Sequence, residues 1–355
     1  MSQRVLVIGT GTIGEPLIGM LAGLSGPLGL DEVIFHKQSP LLEDRSKVTH
    51  LLKRGAKLAV NGKAAEDFEA LDMPPAYEKV EAIDRADVVI DCTPKGYGNI
   101  NKRDHYQHFE HNTHGFIAQG SEFGFGKMFA HGVNDDALVR GQDRYIQVVS
   151  CNTHNLAALV DTIALSAERD NLRSGRFVCV RRANDLSQSG SFVPAPSVSD
   201  HDETIFGTHH ARDAYHLFRT LGLELDLFSS AMKINTQYMH TVHFDLGLRI
   251  PTTRGEVEDC LHAHPHIALT HKREQNLIFS FGRDYGHYGR ILDNTVVVLP
   301  SLHVDENGRR VTGFCFTPQD GNSLLSSLAA TLWFLDPDRY RDGLQAVTPY
   351  MFDEV

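Results

Sequence analysis

Hydrophobic residues along the chain come in two textures. In the N-terminal part, short unbroken apolar runs alternate with helix-like stretches. "RVLVIG" (Arg4–Gly9) reads as a buried strand, "GTGTIGEPLIGMLAGL" as a turn and helix, "DEVIFHK" as a strand and "LLEDRSKVTHLLKRGA" as a helix. "ADVVIDCTP", "HGFIAQGSEF" and "RYIQVVS" supply three further strands. Apolar strands separated by helices predict a parallel, doubly wound sheet. Beyond about residue 165, "GRFVCVRRAND", "LFSSAMKINT", "MHTVHFDLGLRI", "QNLIFSFGRD" and "NTVVVLPSLHVDENGRRVTGFCFT" read as strands with few helices between them. The expected fold class is therefore α/β. An N-terminal Rossmann sheet over residues 1–150 precedes an α+β catalytic domain with a mostly antiparallel sheet over 151–317. "NSLLSSLAATLWFLD" predicts a helix over about 318–340 that packs back on the first domain.

Composition narrows the function classes. The 355 residues are 41% hydrophobic and 22% charged, the values of an ordinary globular protein. No apolar run approaches the roughly 20 residues a membrane-spanning helix needs. The N-terminal stretch lacks the pattern of a secretory signal, so a cytoplasmic location is expected. Five cysteines at 92, 151, 179, 260 and 315 include no C-x-x-C, which argues against a disulfide framework or structural zinc. A formal net charge of −11 argues against nucleic acid as a partner. It also makes local Arg and His clusters the places to look for anion binding.

Gly9, Gly11 and Gly14 carry the G-x-G-x-x-G spacing between a strand and a helix. In a dinucleotide site the first glycine makes the tight turn, the second admits the pyrophosphate, and the third packs the helix on the sheet. An NAD-selective site usually adds a carboxylate about 20 residues on. That region reads "IFHKQSP", so Lys37 is expected to pair with a 2′-phosphate, favouring NADP with NAD possible.

Cys151 in "VVSCNTHNLAALV" stands where a strand gives way to a helix. Amides at a helix start stabilise a thiolate and an oxyanion, so the segment suits a nucleophile. Free cysteines are also among the most buried residues, and that reading stands beside it. The base must come from elsewhere. His105, His108, His111 and His114 read as a polar helix face, and His262, His264 and His266 as a loop or edge strand, neither pattern favouring metal. His240 and His243 lie in an apolar strand, where an imidazole must find a partner. Arg181 with Arg182, and His209 with His210, are candidate phosphate clamps.

Taken together, "GTGTIG", "AQGSEF", "VVSCNT", "VRRA", the His209–His210 pair, "SAM…YMH" ending at His240, "GRDYG" and Gln319 resemble the archaeal-type (type II) glyceraldehyde-3-phosphate dehydrogenases across nearly the whole chain. The resemblance implies Cys151 as nucleophile and His240, rather than His243, as base. It implies Ser150, Asn152, Thr153, Arg181, Arg182, His209 and His210 around the substrate or inorganic phosphate. Gly9, Gly11, Thr12, Ile13, Gly14, Gly120 and Gln319 would contact the cofactor, as Arg182 also could. The implied partners are a small phosphorylated aldehyde and inorganic phosphate, in a homotetramer. Three features depart from the family: His154 replaces a second Thr, His240-x-x-His243 replaces H-x-H, and "NDLSQSGSFVPAPS" replaces a segment that usually contains Asp-Pro. These bear on the substrate more than on the thiol chemistry. Alternatives are a related semialdehyde or acyl-phosphate dehydrogenase of the aspartate-semialdehyde or N-acetylglutamyl-phosphate type, a non-phosphorylating aldehyde dehydrogenase, or a silent NAD(P)-binding regulator.

Overall fold

The computed structural model describes residues 3–120, 122–186, 190, 192–318 and 320–355. Among these, the strands form two sheets. The first uses β1 (Arg4–Ile8), β2 (Glu32–His36), β3 (Lys57–Val60), β4 (Tyr77–Glu78), β5 (Val88–Asp91), β6 (Gly115–Gln119), β7 (Lys127–Phe129) and β8 (Tyr145–Val148). Their order is β4-β3-β2-β1-β5-β6-β8-β7. Pairing from β4 through β8 is parallel. Strand order reverses at β1, so the loops after β1 and β5 flank the crevice where open α/β sheets take their ligands.

The second sheet uses β9 (Leu172–Arg181), β10 (Ser197–Val198), β11 (Leu227–Lys233), β12 (Thr241–Leu248), β13 (Ile267–Thr270), β14 (Thr295–Val298), β15 (His303–Val304) and β16 (Arg310–Phe316). The main path is β10-β11-β9-β12-β16-β14-β13, with β15 beside β16. β11–β9 and β13–β14 are parallel, and the remaining pairs are antiparallel. The expected α/β class is thus observed: a Rossmann-like parallel sheet and a second, mixed sheet with helices.

The chain divides into two compact units, Met1–Lys127 with Leu138–Val148 and Ser326–Thr348, and Met128–Ala137 with Val149–Leu325 and Pro349–Val355. The first unit's core joins Leu6, Ile8, Ile34, Val89, Phe116 and Phe125. In the second, the Cys151–Leu159 helix is buried almost all round: its second half is apolar, and its first half buries the polar residues Asn152, Thr153, His154 and Asn155. Leu156, Leu159 and Val160 join Phe177, Val242, Phe244, Leu217 and Phe218 in one cluster. Each such side chain contributes roughly 1.5–3 kcal/mol on full burial. "QNLIFSFGRD" departs from expectation: it forms the Gln275–Tyr285 helix, which buries Ile278 and Gly282. His262 likewise ends a helix, Arg254–Ala263, rather than lying in a loop or strand.

Candidate functional site

The glycine loop is shaped by missing side chains. Gly9 has φ +99°, in the left-handed region, and a Cβ there would stand 2.9 Å from the Cys92 carbonyl oxygen. A Cβ on Gly14 would stand 2.1 Å from the Gly9 oxygen, so only glycine lets this helix start so close to β1. A Cβ on Gly11 would meet nothing within 4 Å. The fold itself therefore does not require Gly11, whereas a phosphate approaching the backbone would. Ile13 precedes the Gly14–Gly23 helix, and no side chain caps its start. These features fit a dinucleotide. Thr12 is buried beside the loop. Gly120 has φ +65°, and its carbonyl accepts a bond from Gln147 Nε2 at 2.9 Å.

Lys37 follows β2 and is 7% exposed. Its ammonium is paired with Asp44 at 2.5 Å, and Lys47 lies 3.0 Å from the same carboxylate. An incoming 2′-phosphate would have to share Lys37 with that partner. Gln319 lies outside the described residues.

The thiol site belongs to the second unit, and four separated segments build it. Cys151 is the first residue of its helix and half-buried. Ser150 caps the helix by accepting from the Thr153 N–H at 3.4 Å. The Cys151 carbonyl accepts from Asn155 Nδ2 at 2.8 Å and Asn322 Nδ2 at 3.0 Å. Thr317 Oγ1 joins the same frame, receiving Asn155 Nδ2 at 2.8 Å and bonding Asn152 Oδ1 at 3.2 Å. Backbone and neighbouring amides thus fix the nucleophile's helix turn.

Arg182, one residue beyond β9, is 3% exposed. Its Nη2 meets Asp320 Oδ2 at 2.9 Å and Asp185 Oδ1 at 3.1 Å, while its buried Nε has no hydrogen-bond partner among the described residues. The Arg182 N–H donates to His240 Nδ1 at 2.9 Å. His240 sits just before β12, and its carbonyl accepts from the Thr317 N–H at 3.0 Å. Burial, aided by the Arg182 and Arg181 cations, lowers His240 to about 3, with Asp320 opposing. The ring is therefore neutral, and with Nδ1 accepting it carries its proton on Nε2.

The thiol behaves differently from the sequence-based expectation of a ready thiolate. Burial pushes Cys151 well up, the Asp320 carboxylate adds to this, and Arg182 opposes it. The helix start favours an anion, yet burial, with the Asp320 carboxylate adding to it, outweighs that. Burial disfavours ionisation of Asp320 too, but the Arg182 guanidinium holds its carboxyl below the usual range. Asp320 is the residue sequence reasoning missed. Directly before Gly321, it reads as an ordinary helix-starting carboxylate, and only its φ of +68°, invisible in sequence, sets it apart.

A second cluster lies around His210. Its Nδ1 is 3.4 Å from Ser150 Oγ, its carbonyl accepts from Thr153 Oγ1 at 3.4 Å, and its ring centroid is 4.0 Å from that of His209. Burial, then His209 and Arg181, hold His210 well below its ordinary value, and its buried Nε2 has no hydrogen-bond partner among the described residues. The Ser229 hydroxyl sets this helix start by accepting from the Ala211 N–H at 3.1 Å. An orphaned imidazole nitrogen close to a serine hydroxyl fits an anion's oxygen. His243 instead faces the Phe314 ring, with centroids 4.9 Å apart. His154 is fully buried, bonded through Nδ1 to the Ser150 carbonyl at 3.0 Å and lowered by burial to about 4. It supports the turn that carries Cys151.

The chain is similar in sequence to several archaeal proteins. A glyceraldehyde-3-phosphate dehydrogenase of Saccharolobus islandicus (strain L.S.2.15 / Lassen #1) is 28% identical over 273 residues, 75% of this chain and 72% of the relative. Proteins of the same name from Metallosphaera sedula (28% over 317 residues, 86% and 85%) and Sulfolobus acidocaldarius (26% over 313, 86% and 84%) align further. The chain is similar to archaeal glyceraldehyde-3-phosphate dehydrogenases over most of its length. No protein-family model matches it. Among the described residues, no helix is long and apolar enough to cross a membrane, and no group of three or more His, Cys, Asp or Glu is placed to hold a metal ion.

Proposed function

We propose that the protein is a phosphorylating glyceraldehyde-3-phosphate dehydrogenase working through a Cys151 thioester. The observation that carries this reading is the buried Arg182–Asp320 ion pair, which bonds His240 through the Arg182 N–H and whose charges act on Cys151 at the start of its helix. The similarity to the archaeal enzymes supports the same reading. Gly9, Gly11, Thr12, Ile13, Gly14, Lys37 and Gly120 would hold the dinucleotide. NAD(P), when bound, supplies the hydride acceptor.

The Cys151 thiol gives up its proton to solvent as its sulfur attacks the aldehyde carbon, forming a C–S bond while the carbonyl π pair moves to oxygen as an alkoxide. Amides at the helix start and the His240 Nε2–H stabilise that oxygen. Serving as the base expected from sequence would require His240 to present the lone pair of its other tautomer. Loss of hydride leaves a thioester on Cys151, and inorganic phosphate attacks its carbonyl to release the acyl phosphate. Ser150, Thr153, His209, His210 and Arg181 are the phosphate-holding candidates, and Asn152 supports the helix turn. Arg182 is already shared between Asp320 and Asp185, so Arg181 carries most of the positive charge available to an anion. The test is NAD(P)H formation from glyceraldehyde 3-phosphate and phosphate, run with NAD and NADP and with Cys151→Ser. Phosphate-dependent turnover that Cys151→Ser abolishes supports the reading; turnover indifferent to phosphate, or retained in that variant, sinks it.

A further inference from the structure

The inference rests on the dinucleotide reading of the glycine loop and deepens it, at the 2′ position of the adenosine ribose. In NAD-selective sheets a carboxylate at the end of the second strand takes the ribose hydroxyls. Here Lys37 follows β2, and that carboxylate is missing from the strand end. The fold brings one from another element. Asp44 stands at the N-cap of the Arg45–Lys53 helix, where a carboxylate ordinarily accepts from the first helical N–H groups. It reaches two ammoniums instead, Lys37 Nζ at 2.5 Å and Lys47 Nζ at 3.0 Å. Lys47 Nζ also donates to the Thr10 carbonyl of the glycine loop at 3.3 Å, and it lies 3.9 Å from Glu15. The Gly9 N–H donates to the His36 carbonyl at the end of β2 at 3.1 Å. Lys37, Asp44 and Lys47 therefore bridge the end of β2 and the glycine loop, the span that the adenosine half of a dinucleotide crosses. All of these residues belong to the first unit.

We propose that Asp44 sets the cofactor choice: it accepts the ribose hydroxyls of NAD and acts against the 2′-phosphate of NADP, so that the protein prefers NAD. Read alone, Lys37 favours NADP; in the fold its charge is already met. Among the described residues, the two ammoniums of this bridge face two carboxylates, Asp44 and Glu15, and their charges cancel. Burial opposes ionisation of Asp44, but the Lys37 and Lys47 ammoniums hold it below the usual carboxylate range, so it is an anion at neutral pH. A ribose hydroxyl donates to such a carboxylate. A phosphate monoester carries about −1.5 to −2 charges at neutral pH and meets it as a like charge. Its oxygens must also take the lysines from a partner that already holds them. Lys37 and Lys47 thus act as positioning residues, fixing the carboxylate that replaces the missing one at the strand end.

Calorimetric titration of the full chain with NAD and with NADP, in the absence of any aldehyde, tests this without reference to the substrate. The wild-type protein should bind NAD more tightly than NADP. In Asp44→Asn the lysines are released to the phosphate, and the ratio of the two Kd values should move toward NADP by roughly 10- to 100-fold, the worth of one charge-assisted hydrogen bond. Asp44→Glu, which keeps the charge, should restore the preference for NAD. Wild-type protein that binds NADP as tightly as NAD, or more tightly, overturns the proposal and leaves the dinucleotide reading standing. A Kd ratio unchanged in Asp44→Asn does the same. Binding of neither cofactor to the wild-type protein overturns both. The wild-type titrations need no variant, so they decide even if Asp44→Asn does not fold.

Discussion

The glycine loop and the thiol site solve opposite problems. The loop after β1 is made by leaving atoms out: Gly14 is forced by the Gly9 oxygen, whereas Gly11 borders open space. The thiol site is made by putting charges in: Arg182 and Asp320 are buried together, and His240 is bonded to the Arg182 N–H. Small residues at fixed spacing are local in sequence and tolerate no enlargement. A buried ion pair joins residues 138 positions apart and tolerates no loss of a partner.

The sharpest way to break this contrast is to remove one charge at a time from the Arg181–Arg182 pair. Arg182→Ala leaves Asp320 buried and unpaired, and should cost about 3–5 kcal/mol of stability. Arg181 is only half-buried, so Arg181→Ala should cost within about 0.5 kcal/mol while raising KM for an anionic aldehyde or phosphate. Denaturant unfolding and steady-state kinetics on both variants check this; equal destabilisation would show that the ion pair is not what holds the site.

In the loop the corresponding pair is Gly14→Ala against Gly11→Ala. The first must displace the helix start from the Gly9 oxygen and should cost about 1–3 kcal/mol. The second should leave stability unchanged within about 0.5 kcal/mol and weaken dinucleotide binding alone. Thermal unfolding with and without NADP separates the two, and an equal loss of stability would contradict the open space at Gly11.

A milder test compares two buried carboxylates of the second unit. Asp320 has Arg182 and is held low, whereas Asp293 has the Phe352 N–H at 3.0 Å, and burial pushes it up to about 8. The folded state therefore favours protonated Asp293. Its contribution is fully present below the ordinary value of 3.8 and is lost as pH rises through about 8. Asp293→Asn should be increasingly more stable than wild type as pH rises across that window. A difference in melting temperature that does not vary with pH would contradict the assignment.

What was legible in the sequence follows from the same contrast. The β1–glycine–helix unit and the apolar strands could be read because their signals are contiguous. "QNLIFSFGRD" misled because a short apolar run suits a strand or a helix alike. The His209–Arg219 helix was unread because its buried face includes His210 and Asp213, polar residues that disguise its periodicity. Cys151 and His240 could be named from resemblance, and Asp320 could not. Its identity as a carboxylate was visible, but its pairing with the buried Arg182 is made only by folding. The raised thiol was hidden for the same reason: the helix start is written locally, and the burial that opposes it is not.

The central claim is that Cys151 becomes covalently acylated. Intact-protein and peptide mass spectrometry, after mixing the protein with glyceraldehyde 3-phosphate and NAD(P) in the absence of phosphate, addresses it directly. The account predicts a 3-phosphoglyceroyl adduct on the Cys151 peptide that disappears when phosphate is added. NAD(P)H formation with Cys151 unmodified throughout, or an adduct on another residue, would contradict it.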